Sequence, residues 1–150
     1  MNWEMLYQIS NFLTLPFWLL IIFLPHWKWT RKIISSLWII APAALLYSIL
    51  IIPQLPLLFG AFDEFSQPSL ASVSAGLSAP EGALVEWVHL IAFDLLVGRW
   101  IYLDSRPKNR NSIWIGIILF FTFILGPLGF LLYLLDNTFI HRKTATNQQF

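Results

Sequence analysis

Cysteine is missing from all 150 residues of this chain, which excludes disulfides, thiolate nucleophiles and cysteine-held zinc or iron–sulfur centres. Charge is the second scarcity. Only 11% of the residues are Asp, Glu, Lys or Arg, too few to cover the surface of an ordinary water-soluble domain. Nine basic against eight acidic residues leave a net charge of +1, which offers nucleic acid no electrostatic footprint, so no nucleic-acid partner is expected. Histidine is confined to His26, His89 and His141, too dispersed for a metal site, and no phosphate loop, dinucleotide fingerprint, HExxH or serine-elbow motif occurs. Glu86 and His89 share the i, i+3 spacing of helix-bundle metal sites. The second such motif that a di-iron bundle requires is lacking, so neither a metal nor a cofactor is expected.

What the chain has in excess is apolar surface: 57% of its residues are hydrophobic and 17% aromatic. The apolar mass falls in blocks about as long as a helix needs to cross a hydrocarbon core of ~30 Å. The expected fold is therefore all-α: a single membrane domain over 1–150, built as a bundle of four transmembrane helices at about 6–24, 33–52, 79–103 and 113–135. Pro16 and Pro42 predict bends in the first two spans, since each proline removes a helical donor. Residues 53–78 read as a long loop whose apolar first half suits a lid on the bilayer surface, and 136–150 as a polar tail. Ser78-Ala-Pro-Glu81 has the spacing of a capping box opening the third helix.

Orientation is read from the basic residues. Lys28, Arg31, Lys32, Arg106, Lys108 and Arg110 flank one side of the spans, against Arg142 and Lys143 on the other, so the short turns are expected in the cytoplasm. Both termini and the long loop between the second and third helices are then non-cytoplasmic.

The third span is the unusual one, because it carries Glu86, His89, Asp94 and Arg99 in an otherwise apolar run. Asp94 lies near its middle, where an ionised carboxylate costs ~2.5–3.5 kcal/mol on insertion scales and needs a partner, a proton or a cavity. Two roles compete for it: a functional acid, or a hydrogen bond that fixes helix packing. At ~100° per residue His89 and Asp94 are ~140° apart, so only a substrate or another helix could bridge them. Arg99, near the basic end, is long enough to snorkel. In the fourth span Leu125-Gly-Pro-Leu-Gly129 interrupts helix propensity, and a break there is expected to meet Asp94 at mid-membrane.

The run Trp87-Val-His-Leu-Ile-Ala-Phe-Asp-Leu-Leu-Val-Gly-Arg-Trp-Ile-Tyr-Leu-Asp-Ser105, followed by Leu125-Gly-Pro-Leu-Gly-Phe-Leu-Leu-Tyr133, resembles the abscisic-acid-deficient-four family, the neoxanthin-synthase-type membrane proteins of plants and their cyanobacterial relatives. The likeness extends over the length and order of the spans. No Arg/Ser-rich extension precedes the first span, so the resemblance implies a bacterial, cyanobacterial-type member in a thylakoid or plasma membrane. It implies xanthophyll metabolism, with conversion of an epoxycarotenoid to an allene as the reaction. That reaction is redox-neutral and needs an acid for the departing oxygen and a base for a polyene proton. Asp94 is the candidate acid and His89 the candidate base. Glu86, Trp87, Phe93, Arg99, Trp100, Gly126 and Pro127 are candidates for binding the substrate or pigment, with membrane lipid and a carotenoid or other hydrophobic pigment as expected partners. The competing class is non-enzymatic: a pigment-binding subunit or assembly factor, acting as a homo-oligomer or within a membrane complex.

Overall fold

The computed structural model describes residues 2–56, 69–108 and 110–146, with side chains as far as Thr138. Among the described residues the chain is all-helical. The helices are α1 (Trp3–Phe23), α2 (Lys28–Ser35), α3 (Ala41–Ile51), α4 (Leu70–Ser78), α5 (Pro80–Ser105), α6 (Ser112–Leu125) and α7 (Pro127–Thr146), with 3-10 turns at Leu37–Ile39 and Ile52–Gln54. By length and composition α1, with a mean hydropathy of 1.6, is long and apolar enough to cross a bilayer, whereas Ala41–Gln54 and Ser112–Leu125 are apolar but shorter.

The helices divide into two compact units, Met1–Leu15 with Trp38–Phe93 and Pro16–Leu37 with Asp94–Phe150. In the first, Asn2 opens α1 by accepting the Met5 N–H at 3.1 Å, the usual device for satisfying an orphan donor at a helix start. Its core is Leu50 of α3 against Leu84 and Val88 of α5, closed by Trp3, Leu6 and Tyr47. Helix α4 occupies part of the expected loop. Ser69 and Ser72 form its capping box, while the Ser78 hydroxyl donates to the Ser74 carbonyl at 2.7 Å instead of capping α5. The capping box expected at Ser78–Glu81 is thus replaced by one nine residues earlier, and Pro80, already fixed in φ, opens α5. Most of the apolar stretch expected as a lid lies outside the described residues.

The expected span 33–52, which passes from the second unit into the first after Leu37, does not run as one helix. Helix α2 stops at Ser35, the backbone at Ser36 is extended (φ −73°, ψ 137°), and α3 restarts with Pro42 in its first turn. Pro42 has no N–H to bond backward, and it sits in the first turn of α3, where that donor would lack an intrahelical partner anyway. The C-terminal end of α2 is held by Arg99, which donates from Nε to the Ile34 carbonyl at 2.8 Å and from Nη2 to the Ser35 carbonyl at 2.6 Å. A cation on the last carbonyls of a helix satisfies both their hydrogen bonding and the negative end of its dipole.

The expected fourth span is also different: 113–135 folds back on itself. Gly126 closes α6 by donating its N–H to the Thr122 carbonyl at 2.9 Å and opens α7 by accepting from the Phe130 N–H at 3.2 Å. Its φ of +38°, the one positive φ among the described glycines, turns the chain where a side chain would be strained. The two helices then run antiparallel. A Cβ on Gly129 would run into Thr122, and at the other end the Trp114 indole N–H donates to Asp136 at 3.1 Å. Proline at the first position of α7 continues the turn into a helix and cannot straighten it, because the reversal has already happened at Gly126.

Candidate functional site

Of the residues singled out from the sequence, Glu86, Trp87, His89 and Phe93 belong to the first unit, and Asp94, Arg99, Trp100, Gly126 and Pro127 to the second. In the first unit Trp87 donates its indole N–H to Asn11 Oδ1 at 3.1 Å and tilts against Tyr7 at 5.4 Å between ring centres. The His89 ring stacks on Phe93, one turn on, at 4.7 Å and 28°, and meets Tyr47 at 5.7 Å. Glu86 is exposed. Trp87, His89 and Phe93 thus form an aromatic surface on α5 that carries the imidazole of His89.

In the second unit Asp94 stands at the tip of the α6–α7 hairpin. A Cβ built on Gly126 would run into the Asp94 carboxyl, so only glycine lets the turn approach this closely. Among the described residues no hydrogen bond or ion pair reaches the Asp94 carboxyl. It is half-buried, with its carboxyl packed close to the Gly126 backbone. Trp100, nearly two turns along α5, makes edge contacts with Phe130 at 5.7 Å and Tyr133 at 5.4 Å, which fastens α5 to α7. Pro127 is exposed beside the turn. Arg99 is committed to the carbonyls of α2, so its charge serves the broken second segment.

The open end of the hairpin is held by polar contacts that the sequence reading did not connect. Tyr133 and Lys108 both donate to Asp104 Oδ2, and Lys108 and Arg110 both donate to Asn137 Oδ1, at 3.1 and 3.0 Å. Arg110 pairs with Asp136 at 3.3 Å. Burial raises the Asp104 pKa, but hydrogen bonds from Lys108 and Tyr133 outweigh it and hold the carboxyl below its ordinary value. Asp136 therefore lies beside the basic turn before α6. A signal for this existed in the sequence: Gly126-Pro127 divides the apolar run into halves of about a dozen residues, each short of a crossing.

A carboxyl without a hydrogen-bond partner, at the closed end of a helical hairpin and flanked by apolar helices, is suited to pass a proton to a weakly basic oxygen. A family model described as ABA DEFICIENT 4-like matches residues 5–133, a stretch that includes most of α1, all of α5, the turn at Gly126 and Tyr133. No curated protein and no solved structure matches the chain.

Proposed function

Because this chain belongs to the ABA DEFICIENT 4-like family, we propose that it is a multi-pass membrane protein of carotenoid metabolism and a redox-neutral isomerase of epoxycarotenoids, with Asp94 as its acid. The membrane reading is supported by the many large apolar side chains left on the surface and by the bonding of the few polar ones inside. Ser10, Thr14, Thr30, Ser105 and Thr122 are buried, while Phe12, Leu19, Phe23, Ile113, Phe120 and Ile124 are exposed. Each buried hydroxyl donates to a backbone carbonyl, as a polar group in hydrocarbon must. Helix α5 has 26 residues, enough at ~1.5 Å each to cross with its ends in the headgroups, and α6–α7 enters from one face and returns to it.

The observation that carries the reaction is the Asp94 carboxyl lying free against the Gly126 turn. Protonation of the epoxide oxygen by Asp94 breaks one C–O bond and leaves the oxygen as a hydroxyl on the other carbon. A base then removes a polyene proton, and the released electron pair completes the allene, so no electrons enter or leave. In the same unit as Asp94, the aromatic face of Trp100 suits a polyene, and Pro127 is exposed beside the turn.

The test is incubation of the purified protein with an epoxycarotenoid, with product followed by chromatography. Asp94→Asn keeps size and polarity but has no proton to give, so it should bind pigment near normally and lose about 10²–10⁴-fold in turnover. Full activity in Asp94→Asn would remove the acid role. Pigment bound by the wild type but never converted would replace the isomerase with a pigment-binding protein.

A further inference from the structure

Where α1 ends and α5 leads toward α6, His26, Tyr102, Arg106, Arg110 and Ser112 line a cavity of about 240 Å³. Arg106 donates from Nη2 to His26 Nδ1 at 3.0 Å and from Nη1 to Ser112 Oγ at 3.4 Å. Because His26 Nδ1 accepts, its ring proton sits on Nε2 and is donated to Ser112 Oγ at 2.8 Å. Arg110 has Asp136 as its counter-charge, whereas Arg106 faces no carboxylate among the described residues. The cavity therefore carries one unneutralised guanidinium with donors that an anion could take over.

Pro25, His26 and Ser112 also form one wall of an open apolar groove of about 630 Å³. Its remaining walls are Ile22 and Phe23 of α1 and Ile113, Gly116, Ile117 and Phe120 of α6. A polar, positively charged chamber thus adjoins an apolar groove, the two sharing Pro25, His26 and Ser112 in their walls. A free anion would use the first and leave the second empty, while a purely apolar pigment would leave Arg106 without a counter-ion.

We propose that this is a binding site for an anionic phospholipid, its phosphate on Arg106 and the Ser112 hydroxyl and one acyl chain along the α1–α6 groove. Arginine suits phosphate because its planar fork donates two parallel hydrogen bonds. The site is separate from Asp94 and does not depend on the isomerase reading. The lipid would clamp the end of α1 to the start of the hairpin and hold the basic end at headgroup level.

The test uses the full chain in an uncharged detergent, titrated with phosphatidylglycerol or phosphatidylcholine of identical acyl chains, with retained lipid read by native mass spectrometry. The wild type should hold phosphatidylglycerol about tenfold more tightly. Arg106→Gln should erase that preference. Gly116→Leu fills the groove from a position where a Cβ meets just the Ile22 carbonyl, at 3.6 Å, and should weaken both lipids alike. Inorganic phosphate alone should fail to displace the bound phosphatidylglycerol. Equal retention of the two lipids by the wild type overturns the proposal whether or not either variant folds. So does displacement by phosphate together with an unaffected Gly116→Leu, which would mark a free-anion site.

Discussion

At the scale of the residue, Arg99 shows how a charge inside an apolar helix is used structurally. Its guanidinium reaches two carbonyls that the end of α2 leaves unsatisfied, and charge-assisted bonds of this kind are worth ~1.5–3 kcal/mol each way they are broken. Arg99→Ala should therefore destabilise the protein by about 2–4 kcal/mol, read as a lower melting temperature in detergent, with new proteolysis near Ser36. Arg99→Lys keeps the charge but not the fork, and should recover less than half of that loss. Snorkelling alone would make alanine mild and lysine equivalent to wild type. The sequence exposed Arg99 as a misfit in its span but not its task, since the carbonyls it serves lie 64 and 65 residues away. Asp94 was more legible. Its depth in an apolar run and the Gly-Pro break both stood out, and their expected meeting is found at Gly126.

At the scale of the element, the hairpin depends on one backbone conformation. Gly126→Ala forces a side chain into a positive φ, at ~1–3 kcal/mol, and drives its methyl into the Asp94 carboxyl. We expect a clear loss of thermal stability together with loss of activity. Pro127→Ala replaces a favourable but dispensable first residue and should change stability by less than ~1 kcal/mol. If alanine at 126 were harmless and alanine at 127 damaging, the bend would belong to the proline. Local sequence cannot distinguish these cases, because Gly-Pro within an apolar run is compatible with a kink that continues and with a turn that reverses. The choice is made by tertiary contacts, Trp114 with Asp136 and Asp104 with Tyr133, whose partners are far apart in the chain. The break of the second segment at Ser36 is a similar case. Pro42 announced a bend, and the capping of α2 by another helix turned it into an end.

At the scale of the whole molecule, the hairpin changes how the basic residues are distributed. Arg106, Lys108 and Arg110 precede α6, and α7 returns to Asp136 and Asn137 beside them before continuing to Thr146. Arg142 and Lys143 therefore follow from the same end as the other six basic residues. By the positive-inside rule that end is expected in the cytoplasm. The cysteine-free sequence permits a direct test of this reversal, on which both the Asp94 site and the orientation rest. Single cysteines at Pro107 and Thr138, on either side of the hairpin, should be labelled by an impermeant maleimide from the same face of sealed vesicles, and both be protected from the other. Labelling of the two positions from opposite faces would mean that 113–135 crosses the membrane once, and would contradict the account.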